Sequence, residues 1–150
     1  MAIYIFWRVI IIIDKINKDI INTKDVYIHD DIFLDLRFVR DKHRLCLLFA
    51  TEDETSTYEI NFIDVLGFEM TSCDFWGWSP HVYSFVSIKS EEYTIIPRLM
   101  ENKFFDYAFE SFAIDEYIET KIIFTSGDEL IVACKAIEYN KVDTGDGSVC

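Results

Sequence analysis

Apolar and polar residues alternate with a period of two along much of the chain. The alternating apolar positions are Ile32, Leu34, Leu36 and Phe38 in DIFLDLRFV, Leu45, Leu47 and Phe49 in RLCLLFA, and Tyr58, Ile60 and Phe62 in YEINF. Successive side chains of a strand point to opposite faces, so this period is typical of strands with one buried face. We therefore predict three strands here, joined by the short polar turn RDKH and the acidic loop TEDETST.

Further strands are predicted on both sides of this region. The β-branched run in MAIYIFWRVIIIIDK, apolar on both faces, favours a buried central strand and is shorter than the roughly 20 residues of a membrane helix. VLGFEM continues the YEINF strand with a kink, VYSFVSIK forms a strand, and YTII before Pro97 forms a short edge strand. Gly127 and Asp128 predict a two-residue hairpin that sets Phe124 opposite Ile131 and Ile122 opposite Ala133.

One segment has the period of a helix instead. In RLMENKFFDYAFESF, Met100, Phe104, Ala108 and Phe112 recur at every fourth position and form a single apolar stripe. We predict a mainly β domain over 1–139, an antiparallel sandwich or open barrel with one short helix, followed by a flexible tail over 140–150. A two-layer α+β fold is the alternative.

The charge of the chain narrows the classes of partner. It contains 14 basic and 27 acidic residues, which gives a formal net charge of -13, and 51% of its residues are hydrophobic. Such a chain has enough apolar side chains to fold, and it repels nucleic-acid backbones and anionic membrane surfaces. A basic protein is the partner that this charge favours, while the sequence leaves the oligomeric state open.

Residues capable of chemistry are present without the spacing of a known site. The four cysteines include no CxxC pair, and no signal peptide is recognised, so we expect reduced thiols, a cytoplasmic location and neither metal nor cofactor. His29 with Asp30 and Asp31 is interpreted as a solvated turn, and TEDET lacks the glycine of a calcium loop. Cys73, Asp74 and His81 match no nucleophile signature, so an enzyme is the least favoured hypothesis.

Recognition remains the favoured use of the segment TSCDFWGWSPHV. Trp76 and Trp78 share a face if the chain is extended, and we expect Trp76 to be buried and Trp78 exposed as an anchor. With His81 and the acidic loop residues Glu52, Asp53 and Glu54, they make up the predicted partner-binding site. The alternative is a small-ligand or carbohydrate-binding module in which Trp76 and Trp78 stack on a sugar.

Two stretches of the chain also carry a resemblance. YEINFIDVLGFEMTSCDFWGWSPHVY and the closing KIIFTSGDELIVACKAIE resemble small bacterial proteins, some of which are encoded beside polymorphic or contact-dependent toxins as immunity proteins. The resemblance covers about half of the chain and assigns no specific family and no individual acidic residue. It implies a cytoplasmic, non-enzymatic protein that binds and blocks a toxin domain.

Overall fold

The protein is a mainly β sandwich of two antiparallel sheets with one short helix in its described part. A computed structural model describes residues 8–11, 28–71, 81–101 and 114–142. The elements are β1 (Arg8–Ile11), β2 (Ile32–Val39), β3 (Arg44–Ala50), β4 (Thr57–Ile63), β5 (Gly67–Met70), β6 (Val82–Ser87), α1 (Ile95–Met100), β7 (Ile118–Phe124), β8 (Glu129–Cys134) and β9 (Ala136–Val142). Their pairings confirm the predicted fold class in its sandwich form.

The two sheets differ in size and cross each other. The order of the larger sheet is β1-β9-β4-β3-β2, and that of the smaller is β5-β8-β7-β6. At its start β2 forms a bridge to His81 beside β6, and near its end the Phe38 ring lies 5.3 Å from the ring of Phe68 in β5. Strand β2 therefore passes across the smaller sheet from one edge to the other, as crossed sheet packings allow.

The core lies between the sheets and contains the apolar positions of the alternating strands. Tyr58, Ile60 and Phe62 of β4 are buried, as predicted, as are three residues of β3 and the facing residues of β7 and β8. The fully buried large side chains include Phe49, Leu45, Leu47, Phe124, Ile122 and Leu130. The two-residue period thus identified the core-facing positions of β3 and β4 correctly.

The polar positions of β4 are buried as well, which the alternation did not predict. Glu59 and Asn61 point away from the core, yet both are almost inaccessible, as are Glu138 and Asn140 opposite them on β9. These four side chains form a two-by-two array on the outer face of the larger sheet. A polar residue on a covered face and one on a solvated face follow the same sequence period, so the pattern alone does not separate them.

In β2, a bulge interrupts the predicted alternation, although Ile32 at the start of the strand is buried. The register shifts between Phe33 and Asp35. Phe33 is therefore buried against the core, while Leu34, which was predicted to face inward, is 47% exposed. An extra residue in one strand reverses the facing of the positions before it. Leu36 resumes the predicted inward side.

Two connections carry strands from one sheet into the other. After β4, Asp64 adopts a left-handed φ of 52° and the chain enters β5, while Lys135 alone separates β8 from β9. The two corners are joined because the Leu66 amide donates to the Ala133 carbonyl at 2.8 Å and the Lys135 amide to the Ile63 carbonyl at 3.0 Å. The predicted kink after YEINF is therefore a change of sheet, and AIEY after Lys135 belongs to a strand of its own.

The predicted hairpin exists, but its register is wrong. Ile122 lies opposite Leu130 rather than Ala133. The Phe124 amide donates to the Asp128 carbonyl at 2.9 Å, and the Gly127 amide donates to the Phe124 carbonyl at 2.9 Å. Gly127, with φ of 90°, ends a three-residue loop, the next most common hairpin type after the two-residue one.

Three further expectations are corrected. Strand β1 ends the described larger sheet rather than lying at its centre. Cys46 is disulfide-bonded, not reduced, while Cys134 is buried and free; sequence spacing does not reveal which sulfurs meet across a fold. Strand β9 includes positions 140–142 of the predicted tail, because they pair with the start of β4.

The segment YTII is a helix start and not an edge strand. Helix α1 covers Ile95–Met100, and Pro97 is tolerated because the first turn needs no internal N–H donors. The rest of the predicted helical stripe, from Asn102 to Phe112, lies outside the described residues. The physical cause of the helix start is remote in sequence, so the local pattern did not indicate it.

That cause is the carboxylate of Glu119, which is fully buried on β7. Its Oε1 accepts bonds from the amides of Thr94 and Ile95 at 3.0 and 3.1 Å, and its Oε2 accepts one from the Ile96 amide at 3.0 Å. These amides belong to the N-cap residue Thr94 and to the first turn of α1, where N–H groups have no acceptor within the helix. Glu119 therefore caps the helix and fixes it on the outer face of the smaller sheet.

We predict that Glu119→Ala lowers the free energy of unfolding by on the order of 3 kcal/mol, because it leaves buried amides without an acceptor. Glu119→Gln should cost less, about 1–2 kcal/mol, since one oxygen is kept while an amide nitrogen faces the Ile96 N–H. Urea unfolding is the measurement, with exposed Glu116→Gln as the control, expected to stay within about 0.5 kcal/mol. Equal stability of the Glu119 and Glu116 variants would contradict the cap.

Candidate functional site

The acidic loop at positions 51–56 is organised around Asp53. The Asp53 Oδ1 accepts bonds from the Thr51 hydroxyl at 2.6 Å, the Thr55 hydroxyl at 2.7 Å and the Thr55 amide at 3.1 Å. The Thr51 hydroxyl, followed by the Thr55 hydroxyl and amide, lowers the pKa of Asp53 from its usual value. Glu54 occupies a left-handed conformation with φ of 58° at the exposed tip. The loop is thus shaped by its own hydrogen bonds and keeps a charged carboxylate at its centre.

Asp31 attaches this loop to the core. Its Oδ1 accepts a bond from the Glu52 amide at 3.1 Å, and its Oδ2 accepts one from the Tyr58 hydroxyl at 2.5 Å. Tyr58 is buried, with its ring stacked on Phe49 at 5.4 Å and 4.9 Å from the ring of Tyr139. Burial, followed by the bond to Asp31, raises the pKa of Tyr58 far above its usual value, so the hydroxyl remains a donor.

The backbone around Asp31 joins the two sheets. The Asp30 amide donates to the Val82 carbonyl at 2.8 Å, and the Val82 amide donates to the Asp31 carbonyl at 2.9 Å. The His81 ring also contributes: its Nδ1 lies 2.8 Å from the Asp30 carbonyl, and Nδ1 is the donor because a carbonyl can only accept a hydrogen bond. His81, a predicted partner-binding residue, therefore positions the turn at 28–31, and its role in binding remains a prediction.

A histidine and an exposed tyrosine lie beside this turn. The His29 Nδ1 is 2.8 Å from the Asp30 carboxylate, and its ring is 5.9 Å from that of Tyr83. Tyr83 is 59% exposed, which is a large exposed fraction for a tyrosine side chain. The alternation in VYSFVSIK gave no signal for Tyr83, because it puts Tyr83 on the face of buried Phe85, and the register shift between Val82 and Ser84 turns Tyr83 outward.

These elements surround an open groove. Its volume is about 540 Å³, and it is lined by His29, Asp31, Thr51, Glu52, Asp53 and Thr55. The structure thus brings predicted residues Glu52 and Asp53 together with Asp31, which belongs to the turn expected to be solvated. Glu54 is exposed at the loop tip and does not line the groove. The arrangement offers carboxylates and hydroxyls, which suit basic or polyhydroxylated ligands.

Four residues singled out in the sequence fall outside the part of the chain that the structure describes. Trp76 and Trp78, like Cys73 and Asp74, lie outside the described residues, so the predicted aromatic anchor stays a prediction. Among the described residues, no group of three histidines, cysteines or carboxylates is arranged to hold a metal ion. Burial raises the pKa of the Cys134 thiol, which makes it a poor nucleophile.

Comparison with known proteins adds little to this geometry. No protein-family model and no curated protein sequence matches the chain. Among solved structures, the chain is similar to an uncharacterised protein from Neisseria gonorrhoeae, with 14% identity over 75% of this chain and 92% of that chain and a TM-score of 0.40. A likeness at this level carries neither a site nor an activity to this chain. In the described part, no helix has the length and apolar character needed to cross a membrane.

We predict that Tyr58→Phe lowers the free energy of unfolding at neutral pH by about 1–2 kcal/mol, because Asp31 loses a donor. The folded-state pKa of Tyr58 lies above its unfolded value of about 10, so the unfolded chain releases this proton first and stability falls as pH rises above about 10. The loss should be smaller in Tyr58→Phe, so the two stability curves converge at high pH. Exposed Tyr83→Phe is the control. Parallel curves in denaturant titrations at pH 7 and above pH 10 would contradict this assignment.

Proposed function

We propose that the protein is a non-enzymatic protein-binding domain that docks a basic partner against the groove at 28–31 and 51–55. The observation that supports this best is the grouping of three acidic residues, Asp31, Glu52 and Asp53, around one open groove. Hydrogen bonds within the loop hold it in place before a partner arrives, which lowers the entropy lost on binding. The resemblance to immunity proteins extends the proposal to a toxin domain as the partner.

The electrostatics of the whole chain support the same proposal. A formal net charge of -13 attracts a basic domain over distance and raises the rate of encounter. Within the groove, a lysine or arginine side chain of the partner finds carboxylates and hydroxyls as acceptors. Tyr83, exposed beside His29, supplies the aromatic contact surface that interfaces commonly contain.

The cellular compartment of the protein determines which toxin domains it could bind. The cytoplasmic location inferred from the sequence stays a prediction, and the disulfide at Cys46 weighs against it, because structural disulfides persist mainly in oxidising compartments. Counting free thiols in protein isolated under alkylating conditions, with and without a reductant, distinguishes the two compartments.

We predict that Glu52→Lys slows association with the partner severalfold at low salt and changes dissociation little, since steering between opposite charges acts on the encounter. The partner is sought by co-expression pull-down with the product of the neighbouring gene. Kinetics over a salt series should show the difference between wild type and Glu52→Lys shrinking as salt rises. Tyr83→Ala should act mainly on dissociation. Glu92→Lys, an exposed charge reversal of the same size at a residue that does not line the groove, is the matched control.

A carbohydrate-binding module is the second candidate, favoured by the exposed Tyr83 ring beside a groove rich in hydrogen-bonding groups. A glycan array separates the two. Signal that depends on Tyr83 or Trp78 and is indifferent to salt, together with no binding to the neighbouring gene product, would replace the first proposal by the second. Equal effects of Glu52→Lys and Glu92→Lys on association would also contradict a docking site at the groove.

A further inference from the structure

Strand β2 ends the larger sheet in the described part of the chain and leaves apolar side chains exposed. Leu34 is 47% and Phe38 41% exposed, and Asp35 and Arg37 between them are exposed as well. An edge strand presents backbone N–H and C=O groups that can pair with a further strand. Large apolar side chains along such an edge are an unusual feature for a surface that stays in water.

The charges along this edge strand match those of a second copy of the strand that runs in the opposite direction. The two ends and the centre of the segment are apolar, and the two residues between them carry opposite charges. In order, the residues are Leu34, Asp35, Leu36, Arg37 and Phe38. When such a strand pairs antiparallel with a copy of itself about Leu36, each aspartate faces an arginine. Residues directly opposite in antiparallel strands lie on the same face and within reach of each other.

We propose that two copies of this chain associate through antiparallel pairing of their β2 strands about a two-fold axis at Leu36. Asp35 of each copy then pairs with Arg37 of the other, and Leu34 lies beside Phe38 of the second copy. We infer that a second copy pairs with this edge because its charge pattern is self-complementary. A two-fold interface, in which both copies use the same surface, requires such self-complementarity. The larger sheets of both copies become one continuous sheet.

Local structure fits this pairing and sets its strength. The bulge between Phe33 and Asp35 falls at one end of the paired segment, so its central positions Asp35, Leu36 and Arg37 lie in the regular part of β2. In the single copy the Leu36 amide donates to Asp35 Oδ1 at 2.8 Å; pairing exchanges this bond for one to the second strand and releases the carboxylate to Arg37. The paired segment is short and each copy carries a net charge of -13, so the dimer is weak at low salt. Added salt screens the long-range repulsion more than the close Asp35–Arg37 contacts and strengthens the dimer.

The groove proposed for partner binding lies outside this interface. Its residues belong to the turn before β2 and to the loop between β3 and β4, not to the paired positions 34–38. The dimer can therefore form or fail to form independently of the proposed function, and the two are tested by different variants.

We predict a concentration-dependent monomer–dimer equilibrium in sedimentation velocity, with a larger dimer fraction at higher salt. Asp35→Arg and Arg37→Asp each place like charges opposite one another and should raise the dimer dissociation constant about tenfold or more. The double variant D35R/R37D exchanges the charges and should restore the dimer. An equimolar mixture of the two single variants should form a heterodimer, because one copy then carries two arginines and the other two aspartates.

Glu92→Arg is the control for net charge, since it changes the charge of each copy as much as Asp35→Arg but is not one of the paired positions 34–38. It should leave the dimer intact. Circular dichroism of each variant checks that the exposed substitutions leave the fold unchanged. A wild-type chain that stays monomeric up to near-millimolar concentration overturns the proposal, and so does a dimer that resists both single reversals or is not restored in D35R/R37D.

Discussion

The carboxylate of Asp31 is the contact on which the rest of the candidate site depends. One of its oxygens accepts a hydrogen bond from the hydroxyl of Tyr58, whose ring lies in the aromatic core. The other accepts a hydrogen bond from the Glu52 amide of the acidic loop. The backbone on either side of it pairs with Val82 of the other sheet. A single turn therefore connects the core, both sheets and the loop, so the packing of the sandwich determines where the surface carboxylates lie.

Glu119 has the corresponding role at helix α1. Its buried carboxylate satisfies the amides of the first helical turn, and the helix in turn covers the outer face of the smaller sheet. Both carboxylates act between elements that are distant in sequence. In an acidic chain, two of the negative groups are thus used to join elements, and the solvated ones, such as Glu52 and Glu54, remain for the surface.

The sequence predicted the fold class and the core faces of β3 and β4, because a period of two directly reports a buried face. It did not predict which sheet a strand enters, since β4 and β5 form one apolar stretch and a single left-handed residue decides the corner. It also did not predict the buried Glu59 and Asn61, because a polar position follows the same period on a buried and on a solvated face. The helix start at Ile95 was not predicted because its cap, Glu119, lies far along the chain. Within the site, the acidic loop was predicted, but Asp31 and Tyr83 join it only through pairings between sheets.

Amide hydrogen exchange in Asp31→Ala tests the central claim, that Asp31 holds the acidic loop to the core. The account predicts that the Glu52 amide is protected in the wild type and exchanges much faster in the variant, together with its neighbours at 51–56. The Ile95 amide, held by Glu119, should keep its protection, and Glu54→Ala should leave Glu52 unchanged. If the Glu52 amide exchanges at the same rate with and without the Asp31 carboxylate, the loop is held by other contacts and the account is wrong.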